Sequence, residues 1–361
     1  MTGAEIAVRP IPWLDASGPE AEVVVSSRAR LARNLCDVPF PHRADSLQSE
    51  RVFERVVAAV RRAPAFHDAT VFDFEVLTER ERSLLVERRL ATPRLAKGSG
   101  ARGVVVSRDE SVAVLVNEED HVRIQSIVPG LDLPSALTAA VDVDRALEGE
   151  LEFAADRRLG YRTACPTNVG TGLRLSVQVH LPLLVWIGEV KRVHRAVAEM
   201  GMVLRGWLGE GSRAQGDLYQ LSNQRTLGVT EEECSKLLER VVRRSLELQR
   251  DARDRILAAD GRRSRLEDRL ARSWAILRSA RLLSDEEAAA CLSDVWSARV
   301  LGVGPGPSLE ALRRLLVGLQ PAHLAYATEG DEPLDRVRAR RLREFFAEFP
   351  EPGTDLAHLR G

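Results

Sequence analysis

The sequence contains almost no lysine, although it is rich in charge. Lysine occurs only at Lys97, Lys191 and Lys236, while charged residues make up 29% of the chain, so nearly all of the positive charge is arginine. Two explanations stay open. A GC-rich genome favours arginine over lysine, and a protein that handles arginine chemistry would expose many arginines. Composition alone does not separate the two.

Long apolar runs and an excess of charge are missing as well. No apolar run reaches the ~18 residues that a membrane-spanning helix needs, and residues 1–6 lack the basic and apolar stretches of a signal peptide. The formal net charge is −1, so the chain has no general attraction to nucleic acid or to anionic lipid. We expect no membrane and no direct nucleic-acid partner.

Cysteine is sparse, since the chain has four, scattered and without a CxxC pair. This pattern fits a reduced cytoplasm better than an oxidising compartment. The sequence is, in contrast, long and rich in hydrophobic residues. With 361 residues, of which 44% are hydrophobic, it is long enough for about two domains with a full core.

Two common nucleotide-binding motifs are also absent. There is no GxxxxGK[ST] segment, and the glycine-rich stretch 302–308 has no lysine and contains prolines, which lack an N–H donor. We interpret that stretch as a linker. The HRD and DFG pairing of protein kinases is not found either. P-loop kinases and HRD-type protein kinases are therefore not supported.

Hydrophobic periodicity predicts an α+β protein. Strands are predicted at 23–25, 104–106, 112–116, 124–127, 177–181 and 218–221. Helices are predicted at 46–62, 75–90, 133–147, 183–200 and from Thr230 onward, with a loop at 95–103. After about residue 255 strand signals end, and helices are predicted at 262–283, 285–298, 308–318 and 333–348. We predict a mixed α+β domain over residues 1–255 and a small all-helical domain over residues 256–361.

Four charged segments follow one another in the first domain. They are Ser26–Arg30, Asn117–Arg123, Cys165–Arg174 and Arg205–Ser212. Such a set suits the transfer of a phosphoryl group to a guanidinium. A guanidinium is protonated at neutral pH and a poor nucleophile, so a carboxylate must align it and accept its proton. Fixed cations stabilise the charge on the transferring phosphoryl group.

Glu119 and Glu210 are the candidates for holding a guanidinium from two sides by charged hydrogen bonds. The candidate cations for phosphate are Arg28, Arg30, Arg123, Arg174 and Arg205. The stretch Gly170-Thr171-Gly172 would let the backbone approach a phosphate closely. Mg²⁺ would arrive with ATP, because the sequence shows no obvious protein-only metal cage.

Each segment also has a structural alternative. The acidic run at 117–120 could form a solvated turn, the glycines at 170 and 172 an ordinary tight turn, and Arg28 and Arg30 plain surface charges. Cys165 by itself would more often be a small buried side chain than a reactive thiol. The occurrence of all four segments together, in this order, favours the functional interpretation.

At these residues the chain resembles the ATP:guanido phosphotransferase (phosphagen kinase) superfamily. That family carries an SSRxR, an NEEDHxR and a CP[ST]NxGTGxR segment, which match residues 26–30, 117–123 and 165–174. The resemblance implies a phosphagen-kinase-like catalytic domain, with a large antiparallel sheet flanked by helices. It further implies that Glu119 and Glu210 bind the guanidinium and that Cys165 is the reactive cysteine beside it. The five arginines, with Ser27 of the first motif, would bind the nucleotide.

Within this superfamily the chain is more similar to the bacterial protein arginine kinases than to kinases of small free compounds. Only 25 residues precede Ser26, where creatine and arginine kinases carry a helical domain. The bacterial kinases have an RDxxRA motif that binds phosphoarginine. Here the matching stretch begins with Leu334 in place of the first arginine, and Asp335 and Arg338 remain as candidate allosteric residues. A plain charged helix face is the alternative.

We therefore expect a cytoplasmic protein arginine kinase that transfers the γ-phosphoryl group of MgATP to arginine side chains of proteins. The resemblance implies that the mark directs substrates to Clp-type degradation and serves stress regulation. It brings in protein substrates with exposed arginine, an activating adaptor, a Clp ATPase and a homodimer as partners. Two hypotheses stay open beside it: a kinase of a small free guanidino compound, and a weakly active adaptor protein.

Overall fold

The computed structural model describes residues 3–207, 214–303, 305–328 and 332–351. The strands are β1 (Val24–Arg33), β2 (Thr70–Asp73), β3 (Gly103–Val106), β4 (Val112–Val116), β5 (Val122–Pro129), β6 (Ala155–Asp156), β7 (Gly160–Tyr161), β8 (Leu173–His180), β9 (Met202–Gly206) and β10 (Leu218–Asn223). Eight of them form one antiparallel sheet in the order β2-β3-β4-β5-β1-β8-β10-β9, and β6 pairs with β7 separately. The predicted large antiparallel sheet is confirmed.

Helices surround this sheet and follow it. They are α1 (Gly3–Val8), α2 (Ser46–Arg62), α3 (Glu79–Glu87), α4 (Pro93–Lys97), α5 (Leu133–Glu148), α6 (Pro182–Trp186), α7 (Val190–Glu199), α8 (Glu231–Leu257), α9 (Asp260–Ser279), α10 (Asp285–Val300), α11 (Leu309–Gly318), α12 (Pro321–Tyr326) and α13 (Leu334–Ala347). The α8 helix begins as predicted, because Thr230 and Glu233 form a capping box. In the part of the chain that the structure describes, no helix is both long and apolar enough to cross a membrane.

The central strands give the sheet one apolar and one polar face, since successive side chains point to opposite sides. In β1, Ala29 and Leu31 are buried in the main hydrophobic core, while Arg28 and Arg30 lie on the other face. Helices α2, α5 and α8 pack on the sheet and contribute to that core. One covered face and one accessible face are usual for antiparallel sheets. The polar face is thus left open for a site.

The C-terminal helices cover the far end of the polar face. Ile127 lies opposite Arg28 in the β1–β5 pair, so both share that face, and Ile127 belongs to a core cluster with Leu292 and Trp296 of α10. His180, at the end of β8, stacks on Trp296 with ring centroids 4.3 Å apart. The helices after α8 are therefore packed onto the sheet domain. The domain boundary at residue 255 falls just before the end of α8 and stays a prediction.

The predicted helix at 75–90 is too long. The structure begins α3 after its N-cap Thr78 and ends it at Glu87. Pro93 does not follow a helix but begins one, α4, because proline suits the first helical turn and Thr92 caps it. The loop predicted at 95–103 is for this reason partly helical.

The predicted helix at 183–200 is in fact two helices, α6 and α7. Gly188 separates them with φ +76°, a conformation that glycine adopts readily and that ends a helix. The strand predicted at 23–25 extends through the motif arginines to Arg33. Strands β2 and β9 and helix α12 were not predicted.

Candidate active site

The polar face of the sheet forms the floor of a cleft of about 560 Å³. Its walls come from the loop between β4 and β5, from the segment around α4 and from the segment that leads into β8. The described residues that line it include one glutamate, Glu119, and six arginines: Arg28, Arg30, Arg89, Arg123, Arg174 and Arg205. This excess of positive charge in a concave site suits a polyanionic ligand.

Strand register brings the predicted arginines together. Arg30 lies directly opposite Arg174 in the β1–β8 pair, and Arg205 lies opposite Gln220 in the β9–β10 pair. Like charges directly opposite each other destabilise a sheet. Arg30 and Arg174 nevertheless lie opposite each other and both line the cleft. This arrangement favours a site in which an anion binds between the two arginines.

The cleft arginines on β1 lie near other arginines, and the side chain of Arg28 donates its hydrogen bonds to neutral groups. Arg28 donates to Ser176 Oγ at 3.2 Å and to Gln220 Oε1 at 2.8 Å, and the Nε of Arg30 has no hydrogen-bond partner. Burial, followed by Arg89, Arg123 and Arg174, lowers the pKa of Arg28 to about 9. Burial and the same kind of cationic neighbours lower the pKa of Arg30 well below its ordinary value. An anion bound in the cleft would raise the pKa of both arginines again, because a nearby negative charge favours the protonated guanidinium.

The loop between β4 and β5 carries two carboxylates with different environments. The Glu118 side chain is 3% exposed, and its carboxylate pairs with Arg123 at 2.6 Å and accepts a hydrogen bond from Thr92 Oγ1 at 2.7 Å. Glu119 is more exposed and contacts Arg123 at 3.0 Å and Arg94 at 3.4 Å. Glu118 thus pairs with Arg123 in the wall, while Glu119 lines the cleft.

Asp120 ties this loop to the cysteine segment. Its buried carboxylate accepts hydrogen bonds from Asn34 Nδ2 and from the backbone N–H of Ala164, both at 2.7 Å. The next residue, Cys165, lines the cleft, with its Sγ 3.0 Å from Thr167 Oγ1. One carboxylate therefore holds Glu119 and Cys165 on the same side of the cleft.

His121 has a structural place. Its Nδ1 accepts from the backbone N–H of Leu35 at 3.1 Å, so Nε2 carries the proton and donates to the Pro39 carbonyl at 3.0 Å. Burial lowers the pKa of His121 to about 4. The imidazole is neutral at physiological pH and holds the chain after β1 against the carboxylate loop.

Three of the predicted nucleotide-binding residues lie elsewhere than the motif suggests. Ser27 is buried and donates to the Gly130 carbonyl at 2.9 Å. Gly170 has φ +112°, and a Cβ there would come within 2.3 Å of the Thr226 carbonyl oxygen. The N–H of Thr171 donates to the same oxygen at 3.1 Å. Gly172 lines the cleft. The nucleotide-binding roles of all four residues stay predictions, and Ser27, Gly170 and Thr171 have a clear structural alternative.

Glu210, the second predicted carboxylate, lies outside the described residues, within 208–213. The candidate allosteric residues are described. Arg338 is 2% exposed and donates to the carbonyls of Leu283 at 2.8 Å and Leu319 at 3.1 Å and to Asp335 Oδ1 at 2.7 Å. A phosphoarginine at Arg338 would have to displace these contacts, so its allosteric role remains a prediction.

Sequence reasoning missed several residues of the cleft. The sequence places Arg89 near the end of a predicted helix, yet its guanidinium lies 4.6 Å from the centre of the Trp207 ring and lines the cleft. The sequence indicates only a strand at Gln220, yet the side chain of Gln220 accepts a hydrogen bond from Arg28. The hydrophobic pattern of the sequence predicts the β10 strand, but it does not predict that this strand pairs with β8. For Arg89 the local sequence contains no signal.

Comparisons with known proteins agree with this geometry. Residues 51–252 match the family described as "ATP:guanido phosphotransferase, C-terminal catalytic domain", and residues 263–356 match "Protein-arginine kinase McsB C-terminal domain". A protein-arginine kinase of Moorella thermoacetica is 43% identical over 342 residues, which cover 93% of this chain and 97% of that protein. One of Symbiobacterium thermophilum is 43% identical over 86% of this chain and 89% of its own length.

Solved structures of two guanidino kinases are similar as well. A lombricine kinase aligns with a TM-score of 0.55 at 25% identity, covering 67% of this chain and 71% of its own. The duplicated taurocyamine kinase of Schistosoma mansoni, with bound transition-state-analogue components, aligns with a TM-score of 0.56 at 28% identity, covering 63% of this chain and 33% of its own. The motifs, the arginine cleft and the identity over nearly the full chain lead to one conclusion: the chain belongs to the protein-arginine kinase family of ATP:guanido phosphotransferases.

Proposed function

We propose that this chain transfers the γ-phosphoryl group of ATP to the guanidinium groups of arginine side chains in proteins. The observation that carries the proposal is the position of Glu119 beside five predicted arginines in one cleft. An acid that can grip a guanidinium and a set of cations that can hold a triphosphate are thereby within reach of each other. The curated relatives are named for the same activity.

The chemistry follows from these side chains. Glu119 holds the acceptor guanidinium by charged hydrogen bonds and aligns one nitrogen with the γ-phosphorus, and Glu210 acts from the other side. As the N–P bond forms, the bond between the γ-phosphorus and the bridging oxygen breaks and ADP leaves. The nitrogen's proton passes to a carboxylate. Arg28, Arg30 and their neighbours stabilise the charge on the phosphoryl oxygens.

A magnesium ion fits this site as a companion of the nucleotide. The described residues contain no group of three or more acidic, histidine or cysteine side chains that could hold a metal by themselves. Mg²⁺ is commonly held by phosphate oxygens with one or two carboxylates, and it would neutralise charge on the triphosphate. Cys165 would lie beside the acceptor.

The wider biological proposals rest on the family. We propose that residues 1–255 form the catalytic domain and residues 256–361 a helical domain. Protein substrates with exposed arginine, a Clp ATPase, an activating adaptor and a second copy of the chain are the proposed partners, in the cytoplasm. Marking for degradation in stress regulation is the proposed role.

The test is direct. The protein is incubated with MgATP and either an arginine-rich protein or free arginine, and mass spectrometry that preserves the P–N bond locates the phosphate. We expect acid-labile phosphoarginine in the protein acceptor. Phosphate on serine or threonine alone, or none while ATP still binds, would refute the proposal. Turnover of free arginine alone would instead support a kinase of small guanidino compounds.

The carboxylate is tested by Glu119→Gln, which keeps the shape and removes the charge. It should lower kcat by about 10²-fold or more, the usual size of base and alignment effects, while the melting temperature stays within a few degrees. Glu150→Gln is the matched control, because Glu150 pairs with Arg62 on the exposed surface. A collapsed melting temperature in the Glu119 variant would mean that this acid is structural.

A further inference from the structure

The end of α3 and the turn after it contain three consecutive charged residues, Glu87, Arg88 and Arg89, which contact three different parts of the molecule. We propose that Arg89 is a positioning residue for the arginine cleft, and that helix α12 of the C-terminal region keeps Arg89 in place through Glu87. This inference rests on the proposed function, because it takes the cleft to be the nucleotide site. It makes the C-terminal helices part of the scaffold on which that site depends.

Glu87 is the contact with the C-terminal region. Its carboxylate accepts hydrogen bonds from the backbone N–H of Ala322 at 2.7 Å, from that of His323 at 2.9 Å and from the His323 side chain, whose Nδ1 is 2.7 Å away. The side chain of Glu87 is 12% exposed and that of His323 is 5% exposed. A carboxylate at the first turn of a helix satisfies N–H groups that have no partner within the helix. The end of α3 is thereby fixed on α12.

Arg88 fixes the same turn through contacts in the protein interior. It is fully buried and forms a paired contact with Glu110, with Nη2 2.7 Å from Oε2. It also donates to the carbonyls of Ile6 at 2.9 Å and Arg9 at 3.0 Å. A buried pair with additional hydrogen bonds leaves the backbone of the turn little freedom.

Arg89 then points from this anchored turn into the cleft. Its backbone has φ +66°, which is costly for a residue with a side chain and needs support from its surroundings. That support is a hydrogen bond of 2.6 Å from Gln125 Nε2 of β5 to the Arg89 carbonyl. The conformation directs the guanidinium across the polar face of the sheet.

The guanidinium of Arg89 holds the end of β9. Its Nη2 donates to the Trp207 carbonyl at 2.7 Å, and the group also lies over the Trp207 ring. Trp207 follows β9, the edge strand that brings Arg205 to the cleft. An edge strand is hydrogen-bonded to the sheet on one side only. The contact between Arg89 and Trp207 therefore fixes the position of the residues at the end of β9. The Nε of Arg89 is buried without a hydrogen-bond partner.

The experiment compares Glu87→Gln, Arg89→Ala, Arg89→Lys and the Glu87→Gln/Arg89→Ala double variant in the full chain. ATP affinity is measured by equilibrium binding, and kcat and KM by phosphoarginine formation. Arg89→Ala should weaken ATP binding about tenfold, because the end of β9, and with it Arg205, loses a hold of the strength of one charge-assisted hydrogen bond. Glu87→Gln should weaken it about threefold. Arg89→Lys should recover part of the loss, because it restores the charge without the planar fork.

The double variant decides whether α12 acts through Arg89. If it does, Glu87→Gln adds nothing to Arg89→Ala, since coupled residues are not additive. Glu79→Gln is the matched control, because Glu79 is exposed on the same helix, and it should change neither affinity nor kcat. Multiplicative effects, or a Glu87 variant that lowers the melting temperature with unchanged ATP affinity, would overturn the inference. ATP affinity does not depend on the acceptor, so a protein that binds ATP but forms no phosphoarginine would refute the proposed function and leave this inference testable.

Discussion

At the scale of single residues, Arg94 pairs with Glu119, the carboxylate proposed to hold the substrate guanidinium. Its guanidinium is 3.4 Å from Glu119, and its side chain is 62% exposed. Helix α4 holds it there, because Thr92 both caps the helix and donates to Glu118. An exposed ion pair of this kind contributes only about 0–1 kcal/mol. A substrate guanidinium with better geometry would displace it.

Removing this competitor should strengthen acceptor binding. In Arg94→Ala, KM for an arginine-containing peptide should fall about two- to fivefold with kcat unchanged, because up to ~1 kcal/mol of competition is lost. Steady-state kinetics at saturating ATP measure this. Lys97→Ala removes an exposed charge from the same helix and should leave KM unchanged. A higher KM in the Arg94 variant would show instead that Arg94 helps to bind the substrate.

At the scale of elements, β8 joins the cleft to the C-terminal helices. Its residue Arg174 lines the cleft, and its last residue, His180, is buried with Nε2 2.7 Å from Ser293 Oγ of α10. Burial, followed by the charge of Arg313, lowers the pKa of His180 to about 3. A neutral imidazole is thus part of the contact between the two regions.

This environment predicts the direction of acid destabilisation. The unfolded chain binds a proton at each histidine near pH 6.5, while folded His180 and His121 resist protonation down to about 3 and about 4. Stability is therefore complete above pH 6.5 and falls as the pH drops toward these lower values. At pH 5 the loss is roughly 2 kcal/mol for each of the two.

Urea unfolding between pH 7 and pH 5 measures this loss. His180→Gln should make the decline shallower even if it is less stable at pH 7. His67→Gln should leave the slope unchanged, because the His67 side chain is 91% exposed. A slope that is the same in wild type and His180→Gln would contradict the assignment.

At the scale of the whole molecule, the sheet domain and the C-terminal helices share one interface core. Trp296 of α10 is fully buried, and its Nε1 donates to the Glu22 carbonyl at 2.9 Å, just before β1. Arg313 of α11 lies over its ring and donates to the carbonyls of Asp15 and Val24. The two regions should therefore unfold together.

Trp296→Ala should lower the free energy of unfolding by about 3–5 kcal/mol, the usual cost of removing a large buried aromatic side chain. Trp296→Phe keeps the ring and loses the hydrogen bond, so about 1 kcal/mol is expected. Circular dichroism and tryptophan fluorescence followed in urea should give coincident single transitions for the wild type. Two separate transitions would show that the regions fold independently.

The sequence predicted the apolar strands and the capped helices well, because their signals are local. β4 was read from its apolar run, and α8 from Thr230 and the acidic residues after it. The sequence-based prediction was wrong where charged residues interrupt the hydrophobic pattern of an element or a glycine divides it. The prediction for β1 ended at residue 25, because the motif arginines interrupt the apolar pattern, although the strand continues to Arg33. The apolar spacing of 183–200 is continuous, yet Gly188 separates two helices there.

What the sequence by itself determined is the chemistry. Long motifs in a set order identified the family and predicted the acids and the arginines, because a guanidinium kinase needs those groups whatever their surroundings. Only the tertiary structure decided which groups share a face, that Arg89 joins them and that Arg338 is buried. Register and burial depend on contacts between distant segments, and such contacts leave no trace in the neighbouring letters of a chain.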